Sequence, residues 1–485
     1  MPRTDLGVSL ASIWDDRVNS ALPFIAFPAP KDRDFLGAVR KAVRNLIDGP
    51  NIPSSDVRLH LPDLMIQSCK VGFGGGAMPV EFSRVDGPPV GRGEMLARIL
   101  SIIGLQGFAV LTAMLHQHLG VHTDEAKYLL NIPYPHPPLL RWIMGLSDGW
   151  QHQELFWRIL FASFIAHGVW LVADMVRTFS REQRLTIVGL WLFSGALLLQ
   201  SGTLMMSCIT AVQALFLLWM LSRPKFLRKW SVIVAALWIE MLFTAYQGIL
   251  FAPLVWIALQ RSDLGFWKRM FSFFTPIALL LLYTLGNPLA IAAMGFVGSM
   301  QSGVSLEQSI LSVLKIWMIG GSIVLSVLGI FGMVRSRNIP LILTTVLLTA
   351  YILLSSRGYY AILFTPVLIA GITSQPKFLR SSSILAAHIV AGIALFFYVP
   401  FSTRSAAPTV AAALERVHSE GTVLISGDFG HDWQYELRRP VRRYKKEFLE
   451  DASAVVCIAP CTEIDARSWR QVPQVGAEVW VRTGR

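Results

Sequence analysis

The sequence predicts an all-α polytopic membrane protein with about eleven transmembrane helices and a small α/β domain at its C-terminal end. The first observation is composition, because 53% of the 485 residues are hydrophobic and only 15% are charged. In a soluble chain about a quarter of the residues are charged. The second is that apolar stretches of spanning length recur from Met95 to Pro400. The third is that residues 1–93 and 401–485 are ordinary mixed polar sequence.

The basic residues give the chain its predicted orientation. The formal net charge is +12, but the positive residues stand in short clusters between apolar stretches, so nucleic acid is not an expected partner. The basic loops read "RTFSREQR", "SRPKFLRK", "QRSDLGFWKR", "RSRN" and "QPKFLR". Cytoplasmic loops carry such an excess of Lys and Arg. This rule predicts a cytoplasmic N-terminus and places residues 122–154 and 401–485 on the extracytoplasmic side.

The apolar pattern defines the individual spans. They are predicted near residues 95–116, 155–175, 185–202, 204–221, 231–246, 247–260, 270–286, 309–334, 338–355, 359–374 and 383–400. The closely spaced pairs 185–221 and 231–260 can also be broken or re-entrant helices. No signal peptide is visible, so the first span is expected to act as the insertion signal.

The two polar ends have different predicted structures. In the N-terminal extension, residues 1–93, "DFLGAVRKAVRNLIDGP" has one apolar face, which predicts an interfacial helix on the cytoplasmic leaflet. In the C-terminal domain, residues 401–485, "TVLISG", "AVVCIA" and "AEVWVR" predict strands, and "TVAAALERVHS" and "RRYKKEFLEDA" predict helices. Cys457 and Cys461 are close in sequence and can form a disulfide or remain two free thiols.

The loop "HTDEAKYLLNIPYPHPPLLRW" after the first span carries the candidate chemistry. Asp124 and Glu125 can accept a proton from an acceptor group or hold a divalent cation. The prolines of the following turn stiffen the chain, so that Tyr134 and His136 can be held over a cavity. In the alternative interpretation the loop only caps a helix, with Asp124 as the N-cap residue.

These residues resemble the first outer loop of the GT-C type of membrane glycosyltransferase, in particular the protein O-mannosyltransferase and aminoarabinose transferase family. The resemblance rests on Asp124, Glu125 and the "HPPL" stretch that begins at His136. A second, weaker match is "SSRGYYAILFTPVLIAGI", which contains Arg357 and Tyr360. The resemblance covers roughly residues 95–400. It implies that residues 94–400 form a transmembrane glycosyltransferase-like domain.

The resemblance implies a hexosyl- or pentosyltransferase that uses a polyprenyl-phosphate sugar as donor. The acceptor would be a glycan, a lipid or a protein on the extracytoplasmic face, and a bacterial inner membrane is the expected location. Asp124 would be the base, supported by Glu125 and His136, with a divalent cation possible at the two acids. The residues expected to hold the donor are Tyr134, Lys315, Arg357 and Tyr360.

The chain departs from the family pattern at two positions, which keeps two other functions open. No acid occurs in "SGTLMMSCITAVQALFLLW", and Ala245 stands where relatives carry a Lys. A catalytically inactive assembly partner would tolerate both changes. A transporter or lipid flippase would use charges within spans, where Glu240 and Lys315 can also form a structural pair.

Overall fold

The computed structural model describes residues 92–118, 120–133, 135–292, 306–355, 358–374, 382–398, 406–427, 430–461, 464–465, 467–473 and 477–483. The described residues from Ile102 onward belong to one compact unit, and Arg92–Ser101 belong to a second. The predicted interfacial helix in the N-terminal extension lies outside the described residues.

Helices make up the larger part of the described chain. Before residue 300 they are α1 (Arg92–His118), α2 (Thr123–Leu129), α3 (Leu139–Gly145), α4 (Gln153–Met175), α5 (Arg181–Leu192), α6 (Gly195–Gln200), α7 (Met206–Leu221), α8 (Pro224–Lys229), α9 (Ser231–Thr244), a 3-10 helix (Tyr246–Phe251), α10 (Ala252–Gln260) and α11 (Phe266–Leu285). After it they are α12 (Leu306–Arg335), α13 (Ile339–Ser355), a 3-10 helix (Gly358–Leu363), α14 (Phe364–Thr373), α15 (Ser382–Tyr398) and α16 (Ala407–Arg416).

Three helices of the described chain are long and apolar enough to cross a membrane, by length and composition. They cover Leu96–Gln117, Gln153–Met175 and Phe266–Leu285. A helix overlaps each of the other predicted spans, but most of these helices are shorter or interrupted. The total of about eleven spans therefore stays a prediction.

The short helices have local causes. The predicted span 185–202 is divided between α5 and α6 around Ser194. Between α9 and the following 3-10 helix, Ala245 is extended, with φ −155° and ψ 141°, and this ends the hydrogen-bond pattern of α9. This interruption lies at the boundary of the two spans predicted at 231–246 and 247–260, for which the sequence left a broken or re-entrant helix open.

The core of the helical part is centred on α7, which is buried along most of its length. Large buried side chains from neighbouring helices pack in the same core, among them Trp191, Trp238 and Phe364. On another side, α12 crosses α14 at very short range. A side chain at Gly329, Gly332 or Gly371 would collide with the backbone of the opposite helix, so these glycines set the distance between the two axes.

The C-terminal domain is a five-stranded mixed sheet with the order β2-β1-β3-β5-β4. Its elements are β1 (Thr422–Ser426), α17 (His431–Leu437), β2 (Val441–Arg443), a 3-10 helix (Lys446–Phe448), β3 (Ala452–Cys457), β4 (Trp469–Val472) and β5 (Glu478–Arg482). β1 is parallel to β2 and β3, whereas β5 is antiparallel to β3 and β4.

The predicted α/β character of this domain is confirmed, with one correction. The strands predicted at "TVLISG", "AVVCIA" and "AEVWVR" correspond to β1, β3 and β5, and the first predicted helix corresponds to α16. The helix predicted at "RRYKKEFLEDA" is wrong. Val441–Arg443 instead pairs with β1 as a strand, because sheet hydrogen bonds outweigh the local helical pattern.

Cys457 and Cys461 form a disulfide at the end of β3, whereas Cys208 is buried as a free thiol. The question that the sequence left open is therefore answered in favour of the disulfide. Disulfides persist in oxidising compartments.

We expect Cys457 and Cys461 to resist alkylation in unfolded, non-reduced protein and to react after reduction. Mass spectrometry of the peptide that contains both cysteines measures the difference. Cys208, in the same sample, is the internal control and should react in both cases. Alkylation of both cysteines without reduction would contradict the disulfide.

Candidate active site

Two oppositely charged side chains are enclosed together beneath the segment that joins α1 to α4. The side chain of Arg158, on α4, is 1% exposed, and that of Glu125, on α2, is 0% exposed. Arg158 Nη1 lies 2.9 Å from Glu125 Oε1, and Nη2 lies 3.1 Å from Oε2. The planar guanidinium therefore holds the carboxylate through two hydrogen bonds, which fixes their mutual orientation.

Backbone groups occupy the remaining positions around Glu125. The N–H of Leu204 donates to Oε1 at 2.7 Å, and the N–H of His122 donates to Oε2 at 2.8 Å. Burial alone would raise the pKa of Glu125, but Arg158 and the hydrogen bonds lower the pKa overall. Glu125 is thus an ionised carboxylate whose hydrogen-bonding positions are filled, which makes it a positioning residue for α2.

Arg158 also ties two glycine turns to the same point. It donates to the carbonyl oxygens of Gly120 and Gly202 at 3.2 Å and 2.9 Å. Both glycines have positive φ, of 88° and 92°, which glycine adopts without steric cost. A fourth partner, Glu154, accepts from Arg158 Nε at 2.8 Å. The turn before α7 therefore contributes backbone groups to this cluster.

Asp124 projects away from this buried pair, because successive residues on a helix point in directions about 100° apart. Its side chain is 34% exposed and lies 3.4 Å from Nζ of Lys127, whose side chain is only 10% exposed. The N-cap residue of α2 is His122, so the alternative assignment of Asp124 as the N-cap is wrong. Asp124 is left with an accessible carboxylate beside a buried cation.

Lys127 is the functional candidate that the sequence analysis missed. Its signal was present, because an acid and a lysine three residues apart on a helix lie on the same face. What the pattern could not reveal is that this face is enclosed. Burial of Lys127 makes its charge stronger toward a ligand than that of a surface lysine, since less water screens it.

His136 lies near this pair, on the proline-rich turn. Burial lowers the pKa of His136 to about 4, and Lys127 adds to this effect, while Asp124 opposes it. The imidazole is therefore neutral near pH 7 and can exchange hydrogen bonds without contributing a charge. The charges of Asp124 and Lys127 both act on His136, so these three side chains belong to one electrostatic environment.

Two tyrosines hold the proline-rich turn against the helical core. The hydroxyl of Tyr246 donates to the carbonyl of Pro135 at 2.8 Å, and its ring centroid lies 6.2 Å from that of His136. The hydroxyl of Tyr283 donates to the carbonyl of His136 at 3.5 Å. Because both tyrosines belong to apolar helices, the turn is fixed relative to the core.

Gln247, next to Tyr246 in the chain, connects this region to the segment that contains Tyr360. Gln247 Nε2 donates to the hydroxyls of Tyr351 and Tyr360 at 2.6 Å and 2.8 Å. Gln247 is 4% exposed, and its Oε1 has no hydrogen-bond partner in the described part of the chain. Tyr360, a predicted donor-binding residue, is thus joined through Gln247 to the segment that holds His136.

The remaining predicted residues do not all contribute to this arrangement. Tyr134, Arg357 and the side chain of Lys315 lie outside the described residues. Glu240 is exposed and accepts a hydrogen bond from Gln213 at 3.1 Å.

A divalent cation shared by Asp124 and Glu125 does not fit this geometry. The oxygens of Glu125 already accept from Arg158 and two backbone N–H groups. Within the described ranges, no group of three or more His, Cys, Asp and Glu side chains is placed to hold a metal.

The C-terminal domain contacts the same segment through α17, the helix that the sequence analysis did not predict. Thr123 Oγ1 donates to Asp432 Oδ1 at 2.9 Å, and the Tyr435 hydroxyl donates to Glu154 Oε2 at 3.1 Å. Glu154 in turn binds Arg158. Glu154 therefore links Tyr435 of the C-terminal domain to Arg158 of the buried ion pair.

Compared with models of known protein families and with curated proteins, the chain matches none. The resemblance to GT-C enzymes therefore stays a prediction from the sequence. Function has to be argued from the site itself.

Replacing Arg158 by methionine should destabilise the protein, because Glu125 would stay buried without its counter-charge. Breaking a buried ion pair from one side costs about 3–5 kcal/mol. Thermal unfolding of the purified protein in detergent measures the loss. Adding Glu125→Gln to Arg158→Met should restore part of the lost stability. Arg141→Met is the control, because Arg141 makes no ion pair in the described chain. Equal unfolding temperatures for Arg158→Met and Arg141→Met would disprove the structural role of Arg158.

The contact of α17 should weaken as the pH rises. Burial, reinforced by Glu154 and Asp432, raises the pKa of Glu436 to about 7, against the opposing effects of Arg438 and the N–H of Val121. Glu436 therefore binds its proton more tightly when α17 is in contact with the segment of α2 than when the two are separated. The stability of this contact falls as the pH rises through about 7.

Hydrogen exchange in α2 and α17, corrected for intrinsic pH dependence, should accordingly be faster at pH about 8 than at pH about 6. Glu436→Gln should remove the pH dependence. Glu447→Gln, an exposed acid of the same domain, should keep it. A pH dependence that survives Glu436→Gln would show that another group titrates.

Proposed function

We propose that the protein is an integral-membrane glycosyltransferase that moves a sugar from a polyprenyl phosphate to an acceptor on the extracytoplasmic face. One observation carries the proposal. Asp124 presents a partly exposed carboxylate beside the buried Lys127 and the neutral His136, on a segment locked by the pair of Glu125 and Arg158. A base next to a buried cation suits a reaction that deprotonates an acceptor and releases a phosphate.

The reaction can be written with named groups. Asp124 takes the proton from the hydroxyl or amine of the acceptor, whose freed electron pair forms a bond to the anomeric carbon of the sugar. The bond from that carbon to the phosphate oxygen breaks, and polyprenyl phosphate leaves with the electron pair. Lys127 offsets the negative charge of the leaving phosphate. Arg357 would assist as a bidentate phosphate ligand, an assignment that rests on the sequence.

The proposed orientation has about eleven spans and puts the site on the extracytoplasmic side. Two observations support it. The basic loops alternate with loops that lack basic excess, which follows the positive-inside rule. The disulfide of Cys457 and Cys461 suits an oxidising compartment, and its domain contacts the segment that carries Asp124.

A transporter or lipid flippase is the second candidate function. The interruption at Ala245 and the exposed carboxylate of Glu240 on α9 are features that such proteins use. The densest polar cluster, however, lies on the segment between α1 and α4 at the end of the helices. An inactive assembly partner would bind the lipid phosphate but transfer no sugar.

Asp124→Asn keeps the size of the side chain and removes the charge, so it should lower sugar transfer by about 10²–10⁴, the usual contribution of general base catalysis. The assay follows radiolabelled sugar released from a panel of polyprenyl-phosphate sugars by purified protein in membranes. Asp148→Asn is the matched control, an exposed acid of the same segment, and should retain activity.

The comparison separates the candidate functions. Near-normal transfer by Asp124→Asn would exclude Asp124 as the base. A lack of transfer by the unmodified protein with every sugar of the panel, together with retained lipid-phosphate binding, would favour the inactive partner.

A further inference from the structure

A cavity with a partly polar lining lies at the ends of α4 and α7 that are opposite to the segment of Asp124. Its volume is about 510 Å³, within the range of about 300–1,000 Å³ that is typical of ligand pockets. Its walls come from the C-terminal ends of α7, α10 and α14 and from the turn between α12 and α13. The close crossing of α12 and α14 at Gly332 and Gly371 fixes two of these walls.

This end of the protein is the one with the basic loops. Ser222, Arg261, Ser336 and Ser374 line the cavity, and each stands at or beside the start of a different basic loop, "SRPKFLRK", "QRSDLGFWKR", "RSRN" and "QPKFLR". Described residues at or beside the starts of four loops that the sequence assigned to the cytoplasmic side therefore line a single cavity.

Two arginines of the lining have no acidic partner in the part of the chain that the structure describes. Within the described residues, Arg261 and Arg337 make no ion pair, whereas the neighbouring Arg223 is paired with Asp174. Arg335, at the end of α12, rests over the ring of Phe331 at 5.9 Å. Arg261 and Arg337 are both exposed at the cavity, so an anion that enters it can reach either guanidinium group.

The backbone around Arg337 is held in a defined turn. Arg337 has φ 52°, a conformation that costs free energy for a residue with a side chain. The turn is closed by hydrogen bonds from the N–H of Asn338 to the carbonyl of Met333 and from the N–H of Ile339 to the carbonyl of Arg337. The side chain of Asn338 accepts from the N–H of Leu341 at 3.4 Å. Arg337 is thus presented at the cavity by a built turn.

Another part of the lining is apolar. Leu221 of α7 and Ile257 of α10 are half-buried there, in front of the buried Leu218 and Leu254. A soluble anion would leave this apolar wall uncovered. An amphiphile with a phosphate at one end and hydrocarbon at the other would cover both parts.

We propose that this cavity binds the phosphate headgroup of an anionic phospholipid, with Arg261 and Arg337 on the phosphate and the apolar wall against the start of the acyl chains. Basic pockets between transmembrane helices on the cytoplasmic side bind anionic headgroups by this combination of contacts. The site is separate from the proposed sugar transfer and stands whether or not Asp124 is a catalytic base.

The test compares lipid retention by the purified full-length protein, measured by native mass spectrometry after titration with phosphatidylglycerol or phosphatidylcholine. The unmodified protein should retain phosphatidylglycerol preferentially. Arg261→Gln/Arg337→Gln should lower the affinity for phosphatidylglycerol by about tenfold, the loss expected when a hydrogen bond to a charged group is removed, and should leave phosphatidylcholine binding unchanged. Arg181→Gln/Arg184→Gln removes two exposed basic residues outside the cavity and should have no such effect.

Three further results would overturn the proposal. Glycerol phosphate, the soluble headgroup without acyl chains, should not displace the lipid; displacement at equal concentration would identify a site for soluble anions. If the cavity variant lowers the unfolding temperature but keeps the preference for phosphatidylglycerol, the two arginines only neutralise the carbonyl groups at the surrounding helix ends. Loss of lipid preference in the control variant would show a diffuse charge effect.

Discussion

The arrangement of the candidate site depends on the buried ion pair of Glu125 and Arg158. Neither side chain contacts water, so the pair is stable only because every strong hydrogen-bonding position is used. The backbone partners come from two separate segments, Gly120–His122 and Gly202–Leu204. The pair therefore fixes where α2 begins, and with it the direction in which Asp124 and Lys127 point.

From this pair the restraints extend to both sides of the site. Toward the C-terminal domain, Glu154 links Arg158 to Tyr435. Toward the helical core, Tyr246 and Tyr283 hold the proline-rich turn that carries His136. A catalytic base needs such rigid support, because small displacements of the reacting groups reduce the rate strongly. The accessible carboxylate of Asp124 is the least restrained acid of this cluster, which fits a role toward a ligand.

The sequence predicted those features that depend on local pattern. The helical segments and three strands followed from hydropathy and short motifs, whereas the placing of Asp124 and His136 in one site was implied by the family resemblance. Long-range contacts were not visible. The pairing of Glu125 with Arg158 joins residues 33 positions apart in the chain, and Lys127 looked like an ordinary surface residue. The helix predicted over "RRYKKEFLEDA" was wrong because β2 obtains its partner, β1, from elsewhere in the sheet.

The most direct test of the account is a titration of the purified protein with a long-chain polyprenyl phosphate and with the matching prenyl alcohol. If Lys127 faces the donor phosphate, Lys127→Met should weaken phosphate binding by about tenfold, the factor that corresponds to about 1.4 kcal/mol, while alcohol binding stays the same. Arg141→Met, on the neighbouring helix α3, is the control and should change neither. Equal losses for phosphate and alcohol in Lys127→Met, or no preference for phosphate in the unmodified protein, would contradict the proposed donor site.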